Sequence, residues 1–320
     1  TNAAFLINDE YTFDDGIFSG YDPDKFEYDN HSWAYQLDED GNPLRDNTLE
    51  DPQCVYQLLK QHYSRYDPWK VCEITGTAIQ DYLHVARTFC STGRAGQAAT
   101  IMYAMGTTQH TTGTDNVKSL ANLAMLCGHM GIEGGGVNPL RGQNNVQGAC
   151  DMGGLPNVYT GYQPVSDLAI AKKMEEAWGV NDLPTKPGLT VTQMIPKAHA
   201  GEFKALYIIG ENPLVSDPDL NHAEASIKHL DFLVVQDIFL TETAQLADVV
   251  LPSRCFAEKN GTFSNTERRV QRVRKAVDAP GVAKDDWKIT CDIATRMGYA
   301  MAYEDSETIF NELASVTPSY

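Results

Sequence analysis

A single arginine stands at position 141 in a stretch otherwise dominated by glycine and amides: Gly134-Gly135-Gly136-Val137-Asn138-Pro139-Leu140-Arg141-Gly142-Gln143-Asn144-Asn145-Val146-Gln147-Gly148-Ala149-Cys150-Asp151-Met152-Gly153-Gly154. Its guanidinium presents N–H donors in a fixed planar fork, the shape that a carboxylate or phosphate accepts. The surrounding Asn and Gln side chains add paired donors and acceptors. Glycines at both ends suit a backbone that turns through positive φ or approaches a ligand closely. No helical or alternating apolar period runs through the stretch. Two readings fit the composition equally: a long surface loop rich in turn residues, and a loop wrapping a large, polar, anionic ligand. Loops of this length are usually functional or disordered. The apolar residues Val137, Leu140, Val146 and Met152 argue against disorder.

Other groups invite chemistry less strongly. His110 follows a glycine-containing turn and titrates near neutrality, but a lone imidazole beside a turn is expected to serve as a structural hydrogen-bonding group. The seven cysteines (54, 72, 90, 127, 150, 255 and 291) are widely spaced, without a CxxC pair. They predict neither an iron–sulfur cluster nor a zinc site, but small buried residues of a reducing compartment. The basic run Arg268-Arg269-Val270-Gln271-Arg272-Val273-Arg274-Lys275 reads either as a solvated face or as the neighbour of a buried phosphate.

These groups need elements to position them. Residues 1–70 are irregular, with Tyr11, Phe13, Phe18, Tyr21, Phe26, Tyr28, Trp33 and Tyr35 interleaved among acids, Gly and Asn. They predict an excursion packed by its aromatics onto a scaffold made elsewhere. Residues 1–7 read as the end of a buried element. Helical spacing of Ile79, Tyr82, Leu83, Ala86, Phe89 and Cys90 predicts a helix with Thr77 as N-cap, ended by Ser91-Thr92-Gly93. Residues 98–103 predict a buried strand leading into the turn 104–110. A helix from about Asp115 through Cys127 follows, closed by Gly128 and Gly131.

Beyond the arginine stretch, a helix near 167–178 and a Pro/Gly-rich connection lead to three short apolar runs, 205–209, 232–235 and 247–251. Each is read as a strand and each ends in polar residues. Asp217 with Pro218 predicts a helix start between the first two, and Asp285-Asp286-Trp287 opens a last helix through Met297. Strands alternating with helices predict an α/β fold with doubly wound, mainly parallel sheets, whose ligands lie at the strand ends. No GxGxxG follows any of these strands, which disfavours a generic dinucleotide site.

The whole chain, 320 residues with 42% hydrophobic and 21% charged, can hold one large or two ordinary domains. A net charge of −18 argues against nucleic acid or an anionic membrane as the main partner. No apolar run approaches a membrane span and no secretory segment opens the chain. Opening at Thr1 rather than Met predicts a processed or excised piece of a longer polypeptide.

The run GGGVNPLRGQNNVQGACDMGGLPNVYTGYQPV closely resembles the catalytic subunit of molybdenum- or tungsten-dependent formate dehydrogenases, within the molybdopterin oxidoreductase family. A second run, Glu258 to Gln271, is similar to the ExxGTxxNxERRxQ stretch found across that family. FSGYD at 18–22 and RDNTLEDP at 45–52 resemble formate dehydrogenases of the multi-subunit kind. The likeness covers nearly all of this chain and the middle of a larger subunit.

The resemblance implies Rossmann-like α/β units of the formate dehydrogenase/dimethylsulfoxide reductase type. One would span 1–143 and end in the arginine loop. The other would span 144–320, with 256–284 as an excursion packing on a neighbouring domain outside this chain. It implies a molybdenum or tungsten bis-molybdopterin guanine dinucleotide centre that oxidises formate to carbon dioxide and passes electrons to a [4Fe-4S] cluster. Arg141 would be the active-site arginine. Met105, Gly106, Gln109, Gly142 and Gln143 would lie beside the pterins. Gly210, Asn212, Ser216, Gln236, Asp237 and Asp286 would line the guanine dinucleotide pocket. Asn212 and Ser216 stand where close relatives often carry Asp and Thr.

The family's cluster-binding cysteines, its metal-ligating Cys or selenocysteine with the adjacent histidine, and its closing β-barrel-like domain are absent here. This chain therefore ligates no metal on this reading and is expected to be inactive alone. Its partners would be the rest of the same subunit and an iron–sulfur electron-transfer subunit, in the cytoplasm, or in the periplasm if a twin-arginine signal precedes this chain. Two alternatives stand beside this reading: a sister oxidoreductase acting on nitrate or another oxyanion, and a non-catalytic electron-transfer scaffold. The GVNPLRGQNN loop favours formate over the former, and the intact loop and ERR run disfavour the latter.

Overall fold

The computed structural model describes residues 2–320 apart from positions 15, 16, 26 and 203. Thr1 and Phe26, which entered the reading of the N-terminal stretch, lie outside the described residues. The chain divides into two compact units, Thr1–Leu140 and Arg141–Tyr320.

In the first unit two short antiparallel pairs, β1 (Phe13–Asp14) with β2 (Ile17–Phe18) and β3 (Tyr21–Asp22) with β4 (Glu27–Tyr28), are held mainly by rings. Phe18 lies 5.6 Å from Phe13, 5.7 Å from Trp33 and 5.2 Å from His62, centroid to centroid. His62 belongs to α1 (Val55–Tyr63), itself within residues 1–70, so these rings pack on a helix of the same stretch and not on a scaffold made elsewhere. The opening stretch is less regular than expected: a turn at Asn2–Ala4 precedes isolated bridges at Phe5, Leu6 and Ile7, of which Ile7 is buried.

Asp67 caps α2 (Pro68–Thr75) by accepting from the Trp69 and Lys70 amides. The next helix, α3 (Ile79–Cys90), is where spacing put it, but its N-cap is Ala78. The Thr77 hydroxyl sits one position too early and accepts from Thr75 instead. β5 (Thr100–Tyr103) runs parallel to β6 (Gly136–Pro139), joined by α4 (Met105–Thr108) and α5 (Gly113–Leu126). β5 is only half covered, with Thr100 and Met102 exposed. Side chains alternate across a strand, and α5 packs on the two-stranded sheet.

The second unit opens with α6 (Val146–Asp151), α7 (Leu168–Trp178) and α8 (Val191–His199). α8 lies in what the sequence presented as a connection. Pro196 inside it masked the helix, although Thr190 and Gln193 form a capping box that announces it. β7 (Ala205–Ile209), β8 (Phe232–Asp237) and β9 (Val249–Pro252) form one parallel sheet in that order. α9 (Pro213–Ser216) and α10 (Leu220–Lys228) connect the first two strands, and α11 (Glu242–Gln245) the last two. Asp217 caps neither helix at its start. Asp219 caps α10 through the His222 amide, because α10 begins two residues later than the Pro218 signal suggests. Asp217 ends α9, and burial pushes its carboxyl pKa up. β10 (Gly261–Ser264) and β11 (Val270–Val273) then form a hairpin, followed by α12 (Asp286–Arg296) and α13 (Ser306–Val316).

The core of this unit is Ile208, Ile227, Leu233, Val235 and Ala244, with Leu206, Leu214 and Leu246 packed around it. It locks the β7–β8 register and so fixes where the polar strand ends fall. Leu233 is 3% exposed. Leu233→Ala is expected to lower the unfolding free energy by about 2–5 kcal/mol, read as a fall in denaturant midpoint at unchanged slope.

Candidate active site

Arg141 is held by its neighbours through one nitrogen. Its Nε donates to Gln147 Oε1 at 3.0 Å, and Gln147 Nε2 donates to Asp151 Oδ1 at 2.7 Å. Asp151 is fully buried and also accepts from the Tyr320 hydroxyl at 3.3 Å. Arg268 Nη2 approaches it to 3.8 Å. Gln147 and Asp151 are four residues apart on α6, hence on one face. That face of α6 is polar and buried, which is why no apolar period revealed the helix. The Nη nitrogens of Arg141 make no hydrogen bond or ion pair among the described residues, and the side chain is exposed. Arg141 lines the cleft described below, with its terminal nitrogens free of protein partners among the described residues.

The start of α6 is built around Asn145, at φ 61°. Its Oδ1 accepts from the Ser264 amide at 3.0 Å, tying the arginine loop to β10. Gly148 permits this, since a Cβ there would come within 2.2 Å of Asn145 Oδ1. The basic run is mostly solvated: Arg272 pairs with Glu307 and Lys275 with Asp278, while Arg268 turns toward buried Asp151. Between the two segments lies an open cleft of about 340 Å³, lined by Arg141, Gln143, Asn144, Ser264, Asn265 and Thr266 among others.

A second polar cluster sits at the carboxyl ends of β7 and β8. Gln236 is fully buried: it accepts from the Tyr207 hydroxyl and donates to Asp286 Oδ1 at 2.7 Å. Lys259 pairs with the other oxygen of Asp286. Burial, then the Asp286 charge, push the Tyr207 pKa up. The Gly210 amide donates to the Gln236 carbonyl at 2.8 Å. Asn212 donates to Glu242 Oε2 at 2.7 Å and accepts from the Thr243 hydroxyl. Ser216 donates to Glu211 at 3.4 Å, and Asp237 accepts from the Phe239 amide. Gln236 and Asp286 are thus in direct contact, whereas Ser216 and Asp237 serve their own loops.

The remaining sequence-predicted residues lie in the first unit, where α4 carries Met105 and Gly106. Gln109 follows, donating from its side chain to Met105 Sδ at 3.3 Å. His110 Nε2 donates to the Gly106 carbonyl at 2.8 Å, a structural bond that closes this turn.

Residues 69–296 match the family model described as molybdopterin oxidoreductase, which is most of the chain. The chain belongs to the molybdopterin oxidoreductase family. It is 52% identical over 267 residues to F420-dependent formate dehydrogenase 2 subunit alpha of Methanococcus maripaludis, covering 83% of this chain and 38% of that protein. Over 255 residues it is 44% identical to formate dehydrogenase H of Escherichia coli, covering 80% and 35% respectively. The chain thus spans little more than a third of these curated relatives. Among solved structures, acetylene hydratase from Pelobacter acetylenicus matches with a TM-score of 0.59 at 21% identity, over 82% of this chain and 38% of that one. That likeness speaks for the fold, a mixed α/β architecture with parallel sheets.

The family implies a pterin-bound molybdenum or tungsten. Among the described residues no group of three His, Cys, Asp or Glu is placed to hold a metal ion. The arginine cleft does fit the polar edge of a pterin, being lined by guanidinium, amide and hydroxyl groups. Sequence reasoning named Arg141 and Gln143 but not Gln147, Asp151, Tyr320 or Lys259. The spacing of Gln147 and Asp151 was the available signal for the first two.

Two outcomes are expected from this geometry. Asp151→Ala leaves the Gln147 amide unsatisfied and should cost about 1–3 kcal/mol of stability. Burial and Asp151 together hold the Tyr320 pKa up, so ultraviolet titration of that phenol should shift downward in the same variant. The Asn212 hydrogen bond holds the Glu242 pKa below its ordinary value. A depressed carboxylate stabilises the fold above its unfolded pKa and loses that contribution as pH falls through the folded value. Asn212→Ala should therefore raise the Glu242 pKa in a carbon-13 titration, with a stability deficit seen at neutral pH that shrinks on acidification.

Proposed function

We propose that this chain forms part of the catalytic subunit of a formate dehydrogenase, and that Arg141 binds formate for its oxidation. The observation that carries this is the geometry of Arg141: Nε is tied to Gln147, and the Nη nitrogens are left for a ligand. A planar carboxylate matches that fork through charge-assisted hydrogen bonds, which a lysine ammonium does not reproduce. Oxidation takes HCOO⁻ to CO₂, one proton and two electrons. The product is neutral, so it loses the charge that held the substrate and leaves. Gln147 and buried Asp151 keep the guanidinium plane fixed while this happens. Relatives named as formate dehydrogenases support formate over other oxyanions.

A molybdenum or tungsten ion between two pyranopterin guanine dinucleotides supplies the two-electron chemistry when bound. Gly142 and Gln143 would lie beside the pterins; Met105, Gly106 and Gln109 are likewise proposed as pterin contacts on the family resemblance. Gly210, Asn212, Ser216, Gln236, Asp237 and Asp286 would take the guanine dinucleotides, within Rossmann-like doubly wound units dividing near 143/144. A carboxylate such as Asp286 can accept from the guanine ring N–H and amino group together, and Lys259 would first have to release it. The 256–284 segment would also meet a further domain of the subunit. Electrons would pass to a [4Fe-4S] cluster outside this chain and on to an iron–sulfur partner subunit. The seven free thiols favour the cytoplasm, and among the described residues no helix is long and apolar enough to cross a membrane.

The test is formate-dependent dye reduction by the full-length subunit containing this chain, with its metal and pterin quantified. Arg141→Lys is expected to cut the rate by roughly 10²-fold or more while metal and pterin content holds. Full loading with no formate activity in the unaltered subunit would sink the proposal in favour of an oxyanion substrate.

A further inference from the structure

The cysteines look unrelated in sequence, yet the fold brings two of them together. Cys90, the last residue of α3, and Cys127, which caps the end of α5, have their sulfurs 3.7 Å apart. The two helix ends are locked by backbone. Gly93 sits at φ 103°, and a Cβ there would lie only 1.7 Å from the Cys127 carbonyl oxygen. Fully buried His129, two residues beyond Cys127, reinforces the junction. Its Nδ1 accepts from the Ala99 amide at 3.2 Å, and its Nε2 lies 3.3 Å from both the Phe89 carbonyl and the Thr92 hydroxyl. The thiols are therefore held as a pair and do not meet by chance motion of two loose side chains.

We propose that Cys90 and Cys127 form a dithiol modification site, at which a hydroperoxide converts the pair to a disulfide joining the ends of α3 and α5. Cys90 is the exposed sulfur and accepts the hydrogen bond, while Cys127 is partly buried and donates it. Burial, then the bond to Cys90, push the Cys127 pKa up to about 11, so this thiol keeps its proton at neutral pH. Cys90, the more exposed of the two, is the nucleophile, and Cys127, packed behind it at 3.7 Å, the resolving thiol. The Cys90 sulfur attacks one peroxide oxygen and the O–O bond breaks. With hydrogen peroxide this gives a sulfenic acid and one water. The Cys127 sulfur then attacks the Cys90 sulfur. The S–S bond forms, hydroxide departs, and it takes the Cys127 proton as a second water. In sum two thiols lose two electrons and one peroxide gains them. The segment closed off, residues 91–126, contains β5 and the Met105–Gln109 turn, so the bond would constrain a loop proposed to touch the pterin. A disulfide that forms and breaks in a reducing compartment acts as a sensor and not as a staple.

The experiment treats the reduced full-length subunit with hydrogen peroxide and maps its peptides by mass spectrometry without reductant. The expected product links the Cys90 and Cys127 peptides, about 2 Da lighter than the two reduced peptides together and reversed by dithiothreitol. It should form before mixed or intermolecular products at the other cysteines of this chain, because the two sulfurs are already 3.7 Å apart. Cys127→Ser should abolish the link and leave Cys90 as a sulfenic acid that dimedone captures. Cys90→Ser should abolish both the link and the dimedone label at Cys127. Absence of the link at peroxide levels that oxidise the other cysteines would overturn the proposal, as would dimedone labelling of Cys127 in place of Cys90.

Discussion

The carboxylate of Asp151 is the point on which the arginine site depends. It is fully buried, so its oxygens must be met by donors. Gln147, Tyr320 and Arg268 come from three separate segments to meet it. Each of those bonds fixes something else. Gln147 orients Arg141, Tyr320 pins the segment after α13, and Arg268 draws the ERR run toward α6. Removing the carboxylate would release all three, whereas removing any one donor would release a single strut.

The strand-end cluster follows a different logic. Here polar groups are satisfied by one another: Gln236 by Tyr207 and Asp286, Asp286 by Lys259, Asn212 by Glu242 and Thr243. The hydrophobic core beneath sets the strand register. A ligand entering there meets a network already paired, and binding must exchange partners. At the arginine cleft the donors stand open, so binding adds partners. The two clusters thus differ in what occupancy costs, although both rest on the same unit.

The sequence carried much of this because long periodic helices and apolar strand cores obey local rules. α3, α7, α12 and the three strands of the parallel sheet fall within a few residues of their signals. Arg141 drew attention as a lone arginine among glycines and amides, and the fold adds that its Nε is held by Gln147. α6 was not legible, since its inward face is Gln147 and Asp151, and a search for apolar periodicity passes over it. Lys259 and Tyr320 were not legible either: each acts on a residue far along the chain, and no spacing encodes such a pairing. α8 is the instructive case, because its capping box was present and Pro196 outweighed it. The cysteine pair lay beyond reach for the same reason as Lys259, since only the close packing of two helix ends makes neighbours of residues 90 and 127.

α6 has a further consequence, for the order in which the molecule folds. Six residues are too few for a helix to persist by itself in water, and the side this one buries carries Gln147 and Asp151. Its shape depends on Asn145 meeting Ser264, 119 residues on, and on Asp151 meeting Tyr320, 169 residues on. Contacts so distant along the chain form late, after the loop-closure entropy between them has been overcome by other packing. The arginine segment is therefore among the last parts of its unit to take shape, and the guanidinium acquires its fixed direction only once the surrounding chain has finished folding.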